Sequence, residues 1–218
     1  MRSLATQTGT AAPRDDVLAA GTKTAAGLSA AALALRIGWT ALSDSASVSS
    51  LTLLPATPAD CAAHFAAGAA VAVSVYFARG VCNELVPSLR ESSDAANSTI
   101  LPELATTDVL IISMLSGLSE EYFFRGALMP SISPDFRGCC IAAAVFGSLH
   151  ITGGRNAAVA VWATFVGALY GALALATGDI ASAAVAHVSC NFLSGIAWKR
   201  RQLEEKQEDD DALESDAD

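Results

Sequence analysis

Long apolar stretches separated by short polar ones run through the 218-residue chain. Residues 61–78 carry no charge for 18 positions, 156–178 none for 23, and 180–198 none for 19. A helix of about 20 apolar residues crosses the hydrocarbon core of a bilayer. Residues 138–154 are marginal at 17 positions, and the alanine-rich stretch 18–42 is interrupted by Lys23 and Arg36. A sixth run, 109–129, has the length but holds Glu120, Glu121 and Arg125 within "LSEEYFFRG". The pattern predicts an all-α fold, a multi-pass transmembrane helical bundle of five or six helices. The count turns on whether 18–42 spans, lies flat or is removed. A soluble alanine-rich bundle is the alternative. It would show a charged outer face at helical spacing, and 156–178 has no charge on any face.

The polar stretches set the boundaries. Residues 1–17 are rich in Ser, Thr and Ala and resemble an organelle targeting peptide, although Asp15 and Asp16 are atypical of one. Residues 18–107 would hold the N-terminal membrane helices, ending in a polar loop over 83–107 with Pro87 and Pro102. Residues 108–198 carry the candidate chemistry. Residues 199–218 read as a charged acidic tail, solvated and disordered.

Charge changes the picture in one respect. The net charge is −9, and residues 203–218 supply −8 of it, so the acidity belongs to the tail. Nothing is basic enough for a nucleic-acid partner. Lys199, Arg200 and Arg201 mark one membrane side as the positive side. The cysteines (Cys61, Cys82, Cys139, Cys140, Cys190) show no CxxC spacing and read as small apolar packing residues. Gly167 and Gly171 form a GxxxG step that would let another helix approach closely. Chance in a Gly- and Ala-rich chain explains it equally well.

Ionisable groups inside spanning helices are costly and usually face the bundle interior or a water-filled cavity. Glu121 and Arg125 are spaced i, i+4 with the acid first, the favourable order for an ion pair. That leaves Glu120 without a local partner. A partly desolvated carboxylate of this kind suits a general base that takes a proton from water. His187 and Asn191 share a helical face and could donate jointly to a developing oxyanion. Phe146 and His150 repeat the spacing, so that the phenyl ring would pack beside the imidazole and limit water. His64 stands alone and reads as a structural or interfacial residue.

If the helices after Asp108 alternate in direction, Glu120 and His187 each lie 12 residues from the positive side. With a rise of about 1.5 Å per residue, both sit roughly 18 Å deep, near the midplane. His150, five residues before Arg155, sits roughly 8 Å deep by the same rise. All three could then line one catalytic cavity between helices.

These pieces together resemble one family. "EEYFFRG" fits the pattern EExxxR, "FGSLH" fits FxxxH and "HVSCN" fits HxxxN, in that order and on separate apolar segments. The chain looks like a CPBP intramembrane metalloprotease, the family of CAAX proteases and bacteriocin-processing enzymes also called the abortive-infection family, and within it like the type II CAAX prenyl endopeptidases. The resemblance spans about 108–198.

It implies a glutamate-dependent endopeptidase that hydrolyses a peptide bond in a membrane-associated protein or peptide. In the eukaryotic members that substrate is a prenylated CAAX tail. By the same resemblance, Glu120 and His150 would activate a water, His187 and Asn191 would stabilise the oxyanion, and Glu121, Arg125 and Phe146 would support them. The cofactor is left open: zinc held by Glu120, His150 and His187, or metal-free water activation. Similar stretches in plastid members, with the Ser/Thr/Ala-rich start, suggest an integral protein of a plastid membrane. The competing reading is a membrane scaffold of the same fold that binds partners without cleaving them. A small transporter or proton pathway is a weaker third.

Overall fold

The computed structural model describes residues 10–42, 51–151 and 155–215. The first nine residues of the expected targeting segment, and 216–218 of the tail, lie outside them. Among the described residues the regular structure is helical, apart from one isolated pairing of Thr52 with Asp179. In chain order the elements are α1 (Arg14–Leu42), α2 (Pro58–Leu85), α3 (Pro87–Ile100) and α4 (Thr106–Phe123). A π-turn (Phe124–Leu128) leads into α5 (Met129–Ile132), followed by α6 (Phe136–Leu149), α7 (Ala157–Thr177) and α8 (Ala181–Ser215).

Each apolar run of the sequence holds a helix, and the ends follow capping chemistry. Thr57 caps α2, with Pro58 in its first turn. Asp135 caps α6 by accepting from the N–H groups of Arg137 and Gly138. Bonds from Ser133 and Arg137 hold its carboxyl below the usual carboxylate range. Asn156 caps α7 through the Val159 N–H, and Gly178 ends that helix in the left-handed conformation, φ 78°.

Helices α1, α2 and α7 are each long and apolar enough to cross a membrane. The run 18–42 is thus one continuous helix with spanning character. α6 is shorter, at 14 residues or about 21 Å.

Two segments differ from expectation. The polar loop over 83–107 is mostly α3. Pro87 stands in its first turn, where a missing N–H costs nothing. α3 is polar because it closes one end of the bundle. Ser88 and Ser92 bond Asn156 at the start of α7, and Asp94 meets Arg201 at 3.3 Å. The tail is solvated as expected but is helical to Ser215. Its Leu, Glu, Lys and Gln residues are good helix formers and extend a helix already nucleated by packing.

The helices pack in antiparallel pairs. Lys199 Nζ donates to the carbonyls of Leu101 and Pro102 (2.7 and 3.1 Å). Gly195 then lies against Val109, and Gly117 against Val188, so α8 runs back along α4. α7 runs back along α6 in the same way, and here the GxxxG step is used. A Cβ on Gly167 would meet Phe146 Cδ1 at 3.0 Å, and one on Gly171 would meet Cys139 Sγ at 2.5 Å. Cys139 and Cys190 are buried in this small-residue core with Tyr170, Met129 and Ala186.

Candidate active site

The site begins where α4 stops being regular. Pro130 has no N–H to offer the carbonyl of Gly126, four residues earlier, and its ring crowds that turn. The helix widens there into a π-turn in which the Met129 N–H reaches Phe124 O. The freed Gly126 carbonyl accepts a short bond from Arg36 Nη1 of α1. Arg36 is therefore more than an interruption of an apolar run. The spacing of Gly126 and Pro130 was the signal in the sequence that a carbonyl would be left free.

Arg125 projects from this turn into the bundle. Its Nη1 meets Glu121 Oε1 at 2.8 Å, and its Nη2 donates to Gly167 O at 2.6 Å. The guanidinium also lies 5.0 Å from the centroid of the Phe146 ring and 5.8 Å from that of Tyr170. Glu121 and Arg125 are fully buried, at 0% and 1% exposure. An isolated charge would not be tolerated there, and removing one partner of such a pair costs about 3–5 kcal/mol.

Glu121 Oε1 has a second partner, His187 Nδ1, at 2.8 Å. A carboxylate only accepts, so Nδ1 is the donor and Nε2 is turned away from Glu121. His187 Nε2 lies 3.8 Å from Glu120 Oε2. The two adjacent glutamates thus address the two nitrogens of one imidazole, and Glu120, at 20% side-chain exposure, is the more open of the two. Tyr170 and Phe146 flank the ring, with centroids 5.2 and 5.9 Å away. Tyr170 gave no sign in the sequence, because an aromatic in an apolar run reads as core.

His150 caps the end of α6. Its Nδ1 donates to Phe146 O at 2.8 Å and its ring packs on Phe146 at 4.5 Å, as the FxxxH spacing predicts. This leaves Nε2 as the accepting nitrogen of the neutral ring. Phe146 carries this helix end to the centre: its ring lies 5.9 Å from the His187 ring and 5.0 Å from the Arg125 guanidinium. Asn191 stands one turn beyond His187 and donates an amide hydrogen to Ser116 Oγ at 3.2 Å. The structure thus gathers residues of all three motifs between α4, α6 and α8.

Three further observations bound the site. Among the described residues, no three His, Cys, Asp or Glu side chains form a group that could hold a metal ion. The zinc set of Glu120, His150 and His187 is therefore not assembled as a ligand group. His64 does have a partner, the buried Asp179, at 2.5 Å and 115 residues away, but this pair stands at the α7–α8 turn and is not part of the cluster. A lateral groove of about 560 Å³ lies between α1 and α4, lined by Leu118 and Tyr122 among others. These residues are two positions either side of Glu120, hence on the opposite face of α4.

No curated protein and no solved structure matches the chain. A family model does, over residues 102–193. This is under half of the chain, and it contains EExxxR, FxxxH and HxxxN together. In that segment the protein matches the type II CAAX prenyl endopeptidase Rce1-like family, the family to which its three motifs point.

Proposed function

We propose that the protein is a multi-pass membrane endopeptidase that hydrolyses a peptide bond in a membrane-associated substrate. The observation that carries this reading is the arrangement around His187. Glu121 bonds one ring nitrogen at 2.8 Å, Glu120 faces the other at 3.8 Å, and the Phe146 ring, on which His150 packs, lies 5.9 Å from that imidazole on a separate helix.

In the proposed reaction Glu120 removes a proton from a water, with His150 Nε2 as a second acceptor that orients it. The water oxygen attacks the scissile carbonyl carbon. His187 in its protonated form, with Nδ1–H on Glu121, directs Nε2–H at the resulting oxyanion. The second amide hydrogen of Asn191 does the same. The tetrahedral species collapses, the C–N bond breaks, and the proton held by Glu120 passes to the leaving amine. Glu121 and Arg125 take no proton; they fix the ring of His187. The substrate class we propose is a prenylated C-terminal tail, on the strength of the family match.

Purified protein in liposomes, offered a prenylated CAAX peptide, a non-prenylated one and a panel of membrane-protein tails, tests the reading. Wild type is expected to cleave. Glu120→Gln is expected to lose at least about 10²-fold in rate with unchanged thermal stability. If wild type leaves every peptide intact while a control protease works in the same liposomes, the endopeptidase reading is wrong and a partner-binding scaffold takes its place.

A further inference from the structure

α7 carries none of the three motifs, yet two of its residues reach the buried charged groups. Gly167 O accepts from Arg125 Nη2 at 2.6 Å. Three residues further on, the Tyr170 ring lies 5.2 Å from the His187 ring, with the two planes only 34° apart. The Phe146 ring of α6 stands at 84° to the same imidazole, 5.9 Å away. Both aromatic rings also lie near the Arg125 guanidinium, at 5.0 Å for Phe146 and 5.8 Å for Tyr170. Arg125 and His187 therefore share one pair of rings, and Tyr170 is fully buried.

The same two groups share one oxygen. Glu121 Oε1 meets Arg125 Nη1 and His187 Nδ1, each at 2.8 Å, and Oε2 is buried without a partner among the described residues. One carboxylate charge balances Arg125 alone. Protonated His187 adds a second positive charge in an interior where an uncompensated charge is costly. Glu120, 3.8 Å from Nε2, is the other anion facing the ring. It becomes neutral when it takes a proton from water. The other elements packed around His187 bring no further acid. α6 presents Phe146, with His150 packed on that ring. α2 lends Ala72 and Val75 to the same core, and Arg79, one turn beyond Val75, lies over Trp162.

The π face of an aromatic ring attracts a cation within about 6 Å of its centroid, more strongly where water is excluded. The face of Tyr170 is thus placed to carry charge that Glu121 cannot balance. An aliphatic side chain would fill the same space without that attraction.

We propose that Tyr170 is a positioning residue of the site: its ring stabilises protonated His187 and holds the imidazole so that Nε2–H stays aimed at the developing oxyanion. The use made of that N–H rests on the endopeptidase reading. Tyr170 itself acts through His187 and touches no substrate.

The test follows the three histidines by NMR in the full-length, ¹⁵N-histidine-labelled protein in nanodiscs, titrated with pH. Tyr170→Leu is expected to weaken proton binding at His187 about 3-fold or more, whereas Tyr170→Phe, which keeps a ring, retains most of it. Tyr170→Phe carrying one, two or three ring fluorines keeps the shape and drains the π face. Along that series His187 should lose its proton progressively more easily. The series carries the test if Tyr170→Leu does not fold. Val166→Ala, one turn back on α7 in the same core, should lower thermal stability and leave the His187 titration unmoved. In cleavage, the fluorine series should lower kcat, spare KM and move the alkaline limb of the pH profile to lower pH. A His187 titration unchanged through the series overturns the proposal, as does a shift in Val166→Ala as large as that in Tyr170→Leu. If the series moves His187 but wild type cleaves no peptide, the Tyr170 contact stands and the endopeptidase reading fails.

Discussion

Within 102–193 Glu121, Arg125 and His187 turn to one another, whereas Asp108, Asp179 and the Gly126 carbonyl are met by side chains from α1 and α2. Glu121 Oε1 bonds both Arg125 and His187 in the interior. On α1, Arg14 grips Asp108 at 2.6 Å and Arg36 reaches the Gly126 carbonyl. On α2, His64 holds Asp179. Burial follows the same division: 6% of the apolar stretch of α1 is buried inside the protein, against 44% for α7. The core is held by packing plus an internal ion pair. α1 is held by a few polar pins on a helix that otherwise faces outward. In such a design each pin on the outer helices acts alone, while the core's polar groups act as a unit.

Arg125→Leu should mark that contrast most sharply. It strands Glu121 in the interior, and we expect a loss of about 3–5 kcal/mol in the stability of the detergent-solubilised protein, read by thermal unfolding. Adding Glu121→Gln should restore much of that, since the stranded charge is gone. An unaffected melting curve for Arg125→Leu would deny the core its internal pair.

The Arg36 pin comes next. Arg36→Ala leaves the Gly126 carbonyl without a donor, at an expected cost of about 1–3 kcal/mol. Pro130→Ala in that background supplies an N–H in the right turn and should recover part of the loss. Equal costs with and without proline would show that the π-turn does not depend on Arg36.

His64→Ala is expected to cost about 1 kcal/mol, because Asp179 keeps its bond from the Ser182 N–H. Cleavage should be unaffected, and a change in kcat would attach His64 to the chemistry.

The smallest effect concerns pH. The Asp135 carboxyl titrates below its unfolded value, so its contribution is present above the unfolded pKa and is lost as pH falls through the folded one. Asp135→Asn should therefore lower the melting temperature slightly at neutral pH and converge with wild type in acid, which flattens the acid limb of the profile.

The helices were legible because a bilayer demands long uninterrupted apolar runs, and 156–178 met that demand almost residue for residue as α7. Local contacts of the candidate site were legible because i, i+4 spacings carry them, as Glu121 with Arg125 and Phe146 with His150 show. What escaped the sequence lies far apart along the chain. His64 and Asp179, or Arg36 and Gly126, share no local pattern, and only the folded packing brings them together. α3 escaped for a different reason: Pro87 reads as a breaker, yet at a helix start it is a good first residue.

The Arg36 contact also carries a timetable. Its carbonyl partner is encoded 90 residues downstream. With synthesis at about 5–20 residues per second, roughly 5–18 seconds separate the two groups. α1 therefore leaves the ribosome before the acceptor that completes it exists. During that interval it carries an unmatched guanidinium, and its final seating in the membrane must wait for α4 and the turn that follows it.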